Sequence, residues 1–209
     1  MTAQAEILDG LEEGQDGWVT ANYLRGGLAG RGGLQGALDW GGASAQITVT
    51  REEQEDVVLE LFGDRFPLLS RSHLCYGQSE AINRHRASLL YQLFQASNSS
   101  LPPTALTLTL KDPCLPEGAS VNLSLPSLLS SPCTHYKDAT FLQWANKLPS
   151  QVLLVPGAPD QCKMKVEEVF QPSICRDRYL QPEQEDICLD PSSIPPPSKT
   201  GYLAFSTYW

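Results

Sequence analysis

Long hydrophobic runs are missing from this 209-residue chain. With no stretch of about 18 apolar residues, nothing in it reads as a membrane-crossing helix. The first residues also lack a basic stretch leading into an apolar one, so any secretory targeting information is expected outside this sequence. Positive charge is scarce, with 15 Lys and Arg against 24 Asp and Glu, a net charge of −9 that argues against a nucleic-acid surface. No Cys-x-x-Cys pair occurs among the 6 cysteines, and the 3 histidines, His73, His85 and His135, are scattered singly. That spacing offers neither a zinc motif nor a partner for a nucleophilic triad.

What is present is ordinary for a soluble globular chain, 41% hydrophobic and 19% charged. Residues 5 to 9 read as a strand and 14 to 26 as a helix. The glycine-rich run Gly26 to Gly33 reads as a flexible connector. Residues 36 to 39 and 44 to 50 form a hairpin, Val57 to Phe62 pairs with Arg65 to Ser72 in a second, and Gln78 to Ala96 has helical apolar spacing. The alternation of strand, helix and hairpin is α/β. Beyond Leu101 prolines break any long element, although Thr104 to Leu110 alternates like a strand and Asp160 to Phe170 reads as a short helix. Cross-links are expected to substitute there for regular structure, and Pro195 to Pro197 reads as a stiff surface connector. The expected organisation is therefore a phosphate-binding α/β part over residues 1–100 and a disulfide-linked, Pro-rich remainder of the same lobe over 101–209.

The chemistry concentrates in Gly36-Ala-Leu-Asp-Trp-Gly-Gly-Ala-Ser-Ala-Gln-Ile47. Asp39 can hold a hydrated divalent cation, Gly41 and Gly42 let backbone N–H groups approach phosphate oxygens, and Ser44 and Gln46 can orient a water. Alone, such a turn is also a plain β-hairpin. Upstream, Ala5-Glu-Ile-Leu-Asp-Gly-Leu-Glu-Glu-Gly14 and Gly17-Trp-Val-Thr-Ala-Asn-Tyr-Leu24 add an acidic turn opening a helix.

Together these two stretches resemble the third and fourth conserved apyrase regions of the ecto-nucleoside triphosphate diphosphohydrolases, in order and near their usual separation. Ser72-His-Leu-Cys-Tyr-Gly77 is similar to the family's Phe-Leu-Cys-Tyr-Gly segment, and Tyr202-Leu-Ala-Phe-Ser206 to the opening of the fifth region. The family's first phosphate loop, Asp-x-Gly-Ser-Ser-x-Thr, and its Thr-Ala-Gly region do not occur here. The chain therefore reads as an internal piece of a longer protein, with any membrane anchor in segments absent from it.

The resemblance implies a lobe of the actin and ribonuclease-H-like architecture with a disulfide-rich, loop-rich extension. It also implies hydrolysis of the terminal phosphate of extracellular nucleoside tri- and diphosphates with Ca²⁺ or Mg²⁺, at the cell surface or outside it. By residue, Glu13 is carried over as the catalytic base, with Glu12 a spectator, and Ser44 and Gln46 as positioners of the attacking water. Asp39 is the holder of metal-bound water, and Gly41, Gly42, Ala43 and Ser44 are phosphate-binding. The plain alternatives are a helix N-terminal charge for Glu13 and a β-turn carboxylate for Asp39. Trp40 stands where the family has Leu or Met, and Trp18 and Tyr23 read as core rather than base-stacking residues.

Six cysteines allow 15 pairings by arithmetic. The resemblance implies Cys75 with Cys133, Cys114 with Cys162, and Cys175 with Cys188. Sequons at Asn98 and Asn122 join the even cysteine count in favouring the secretory pathway. With the first phosphate loop missing, the isolated chain is expected to be inactive. The alternatives are a catalytically incomplete binding fragment, or an actin-like sugar kinase or exopolyphosphatase.

Overall fold

The computed structural model describes residues 7–52, 55–98, 108–179, 187–198 and 200–206. The chain folds as two compact units, residues 1–79 with 190–209, and residues 80–189. Each is mixed α/β, consistent with an actin and ribonuclease-H-like lobe carrying a disulfide-rich extension.

The first unit opens with helix α1 (Gly10–Leu24). The Asp9 carboxylate accepts from the N–H groups of Leu11 and Glu12, and Glu12 returns a bond to the Asp9 N–H, so a reciprocal capping box fixes the start. The expected strand over residues 5–9 is therefore not found at 7–9, while residues 5 and 6 lie outside the described residues. The helix begins four residues before the expected Gly14, because cap chemistry rather than apolar periodicity sets its first turn.

Strands β1 (Gly36–Trp40), β2 (Ser44–Thr50), β3 (Val57–Leu61), β4 (Asp64–Leu74) and β8 (Tyr202–Ser206) form one sheet in the order β3-β4-β2-β1-β8. Both expected hairpins form, β1 with β2 and β3 with β4, while β8 adds parallel to β1. Trp18 of α1, fully buried, packs with Phe66 and Leu68 of β4, Ala37 of β1 and Leu28. Tyr23 departs from the core expectation: it is 63% exposed. Gly10 and Gly14 let α1 lie close against the sheet. A Cβ on Gly14 would stand 2.9 Å from both Ser70 Oγ and Thr48 Oγ1, and one on Gly10 would stand 2.2 Å from Ser72 Oγ.

The second unit holds α2 (Gln78–Ala96), whose first two residues belong to the first unit, and a three-stranded sheet. In that sheet β7 (Gln151–Pro156) lies between β5 (Leu108–Asp112), parallel to it, and β6 (Val121–Ser124), antiparallel. Helices α3 (Leu125–Ser130), α4 (Ala139–Ala145), α5 (Cys162–Val169) and α6 (Pro172–Arg178) complete it. This half is more regular than the proline pattern suggests. Tyr91, Phe94, Tyr136, Phe141 and Trp144 form an aromatic cluster with ring centroids 4.6 to 6.2 Å apart.

Disulfides join Cys114 to Cys162 and Cys175 to Cys188. Cys75 and Cys133 are disulfide-bonded as well, and no cysteine is free. Pro195 to Pro197 carry no regular element. Of the sequons, Asn98 and Asn122 are exposed, while Ser99 and Ser100 lie outside the described residues.

Candidate active site

Two adjacent carboxylates at the start of α1 do different work. Glu12 turns back to the cap, whereas the carboxylate of Glu13 accepts a hydrogen bond from Gln46 Nε2 at 2.8 Å. The close seating of α1 on β2 makes that reach possible, since Gly14, one residue beyond Glu13, lies against the Gln46 side chain. The same Gln46 amide donates to Ser44 Oγ at 2.8 Å and Ser72 Oγ at 3.1 Å. Glu13, Ser44 and Gln46 thus meet in one hydrogen-bonded group.

A carboxylate is only an acceptor, so it holds the NH₂ end of the amide toward Glu13. Two N–H hydrogens then serve three oxygens. The other end, Gln46 Oε1, is buried with no hydrogen-bond partner in a residue only 2% exposed. A buried acceptor left in that state is costly unless a donor such as water meets it.

The turn between β1 and β2 is braced through its carbonyl groups. Gly41 O accepts from the Gln78 N–H, Gly42 O from the Ser79 N–H, and Ala43 O from the N–H groups of Cys75 and Gly77, at 2.8 to 3.2 Å. No described acceptor takes the N–H groups of Gly42 or Ala43, both of which are exposed. A turn whose carbonyls are occupied and whose N–H groups are open is suited to an anion. Gly77 is required for this bracing. A Cβ there would stand 2.5 Å from Ser44 N and 2.6 Å from Ala43 N, and both are backbone atoms.

Asp39, half-buried at the end of β1, accepts a hydrogen bond from the Ser206 hydroxyl of β8. It shares the Glu13 side of the turn through its register with Gln46, directly opposite on β2. Carboxylate and hydroxyl oxygens are hard donors suited to Mg²⁺ or Ca²⁺, and a single carboxylate leaves most of the coordination shell to water. Trp40 is accommodated by anchoring: its indole N–H donates to the Tyr76 carbonyl at 3.0 Å, tying β1 to the segment that braces the turn.

Three residues of this arrangement were not singled out in the sequence: Ser72, Gly77 and Ser206. Ser72 and Gly77 bound a segment that resembles the family's, but that Ser72 lies opposite Gln46 is set by the β2–β4 register. Ser206 closes the Tyr202–Ser206 segment that resembles the fifth conserved region, but its meeting with Asp39 depends on a strand pairing across 167 residues of chain. Beside Ser72, burial and then the neighbouring Arg71 charge hold the His73 imidazole below its ordinary range, and its Nε2 is buried without a partner.

The GDA1/CD39 (nucleoside phosphatase) family model matches residues 1–181. Ectonucleoside triphosphate diphosphohydrolase 2 of Gallus gallus is 33% identical over 203 residues, covering 86% of this chain and 37% of that protein. Ectonucleoside triphosphate diphosphohydrolase 8 of Rattus norvegicus is 31% identical over 220 residues, covering 98% of this chain and 40% of its own length. The human protein of the same name is 32% identical over 225 residues, with coverages of 98% and 40%. The chain therefore spans about two-fifths of the length of the curated relatives it matches. With the family model matched over most of its length, this chain belongs to the GDA1/CD39 family of nucleoside phosphatases.

Proposed function

We propose that the complete protein hydrolyses the terminal phosphate of nucleoside tri- and diphosphates in a divalent-cation-dependent reaction at the cell surface or outside it. The observation that carries this reading is the Glu13–Gln46–Ser44 group beside a turn with two open N–H donors. The names of the relatives supply the substrate class, and their prefix, with the disulfides and two exposed sequon asparagines, supports the location.

In this reading Glu13 takes the proton of the attacking water, while Ser44 and the unpartnered Gln46 Oε1 hold that water in line. The N–H groups of Gly42 and Ala43 hold phosphate oxygens. Asp39 fits a hydrated Ca²⁺ or Mg²⁺, with Ser206 fixing one of its oxygens. When bound, the cation neutralises charge developing on the phosphate. No covalent phosphoenzyme is needed.

The experiment is turnover of ATP and ADP by the complete protein with Ca²⁺ or Mg²⁺, with the isolated 209-residue chain assayed in parallel. Glu13→Gln should lower turnover by about 100- to 10,000-fold, the range expected of a general base, with metal–nucleotide binding nearly intact. Wild-type turnover in that variant would return Glu13 to a helix-end charge. Nucleotide binding without turnover by the complete protein would overturn the hydrolytic reading.

A further inference from the structure

Ser72 belongs to the hydrogen-bonded group around Gln46 but has no part in the reaction as described so far. The β2–β4 register sets it directly opposite Gln46, on the side of the sheet where α1 lies. The helix begins over it: a Cβ on Gly10 would stand 2.2 Å from Ser72 Oγ and 3.8 Å from Gln46 Nε2. Ser70, two residues earlier on the same side of β4, is spent on structure, with its hydroxyl 2.8 Å from Thr48 Oγ1 and 3.5 Å from the Leu11 carbonyl. Ser72 makes no such bonds. Among the described residues the one partner of its hydroxyl is Gln46 Nε2, at 3.1 Å. Ser44 Oγ has that same one partner, at 2.8 Å.

An amide nitrogen carries two hydrogens, and Glu13 Oε2, only an acceptor, takes one of them at 2.8 Å. Ser44 and Ser72 contest the second, and the shorter distance gives it to Ser44 in this structure. We propose that Ser72 is a positioning residue for the hydrolysis proposed above: it takes over the second amide hydrogen when Ser44 turns to the attacking water. Without Ser72, that turn would leave a buried N–H without an acceptor on a residue only 2% exposed, and the amide would rotate to find one. Rotation would carry Gln46 Oε1, the acceptor assigned to the same water, out of place. With Ser72 the amide keeps two acceptors throughout and Oε1 stays fixed. In this role Ser72 acts through Gln46 and contacts neither the water nor the phosphate. The inference rests on the hydrolytic reading, because the water is what draws Ser44 away.

The test pairs kinetics of the complete protein with NMR of the 209-residue chain. Ser72→Ala should lower kcat for ATP by about 2- to 12-fold, the worth of one hydrogen bond, with KM and the divalent-cation requirement unchanged. In a Gln46→Ala background the same substitution should cost nothing further, since its effect passes through that amide. In the isotope-labelled chain, Ser44→Ala removes the first acceptor and should leave the Gln46 side-chain hydrogens exchanging with water at the unmutated rate. Adding Ser72→Ala should then speed that exchange by a similar factor of about 2 to 12. Full speeding by Ser44→Ala alone would overturn the inference, and so would an undiminished loss of kcat when Ser72→Ala is added to Gln46→Ala. Glu13→Gln, assayed alongside, separates this failure from that of the hydrolytic reading. If Glu13→Gln loses turnover while Ser72→Ala keeps the wild-type kcat, the inference falls and the reading stands. If Glu13→Gln keeps wild-type turnover, the reading falls and takes the inference with it.

Discussion

A single amide organises the candidate site. Gln46 is almost fully buried and spends its N–H groups on Glu13, Ser44 and Ser72. Asp39, opposite it in register, is held instead by Ser206. The two side chains therefore answer to different partners, one to the proposed base Glu13 and the other to the proposed cation. In the complete protein Gln46→Ala should lower turnover without moving the divalent-cation concentration needed for half-maximal rate. Asp39→Ala should lower turnover and raise that requirement by about tenfold or more, each tenfold amounting to about 1.4 kcal/mol. A metal titration of both variants makes the comparison. If the two shifted the metal requirement alike, the separation of roles would fail.

At the level of elements, the Glu13–Gln46 contact depends on how closely α1 lies on the sheet. Gly14→Ala tests this, because two effects oppose each other. Alanine gains about 1 kcal/mol of helix propensity over glycine. The added Cβ would meet Ser70 Oγ and Thr48 Oγ1 at 2.9 Å and the Gln46 Cβ at 3.2 Å, and overpacking of that kind costs about 1 to 3 kcal/mol. Overpacking should win. Chemical denaturation of the 209-residue chain should show a net loss of about 0 to 2 kcal/mol, and turnover of the complete protein should fall as Glu13 moves away from Gln46. A gain in stability would mean that the helix is not seated so tightly.

The same elements show what the sequence disclosed. The two hairpins and α2 were legible because their periodicity is local: strand alternation broken at Gly-Gly or at Gly63-Asp64, then apolar residues at helical spacing, although the second turn falls one residue earlier, at Phe62-Gly63. The start of α1 was misread although Asp9 and Glu12 already spelled its capping box. Strand β7 was missed for a different reason. It runs Gln-Val-Leu-Leu-Val-Pro without alternation, as a central strand does, with Val152 and Leu154 fully buried. Flanking prolines hid that run. The motifs named Glu13, Ser44 and Gln46, but their meeting depends on a helix-to-sheet approach that only packing reveals.

At the level of the whole molecule, lowering the pH sets two effects against each other. The net charge of −9 moves toward zero as the isoelectric point near 4.8 is approached, which relieves self-repulsion and stabilises the compact state. His73 acts in the opposite direction. Burial first, and the Arg71 charge after it, lower its folded value below the ordinary 6.5, so the unfolded chain takes up that proton before the folded one. Stability from this group is present above pH 6.5 and is lost as pH falls from 6.5 toward the lowered folded value. The family's segment has Phe at this position, and His73→Phe removes the titration while keeping a ring. Urea denaturation of the 209-residue chain at intervals from about pH 7 to pH 5 should therefore show the unmutated chain losing stability relative to His73→Phe as pH falls, because every other titrating group is common to both. The expected difference grows only below pH 6.5. Parallel stability profiles for the two proteins would show that the His73 ring takes up its proton as readily folded as unfolded, and would leave net charge alone to set the acid response.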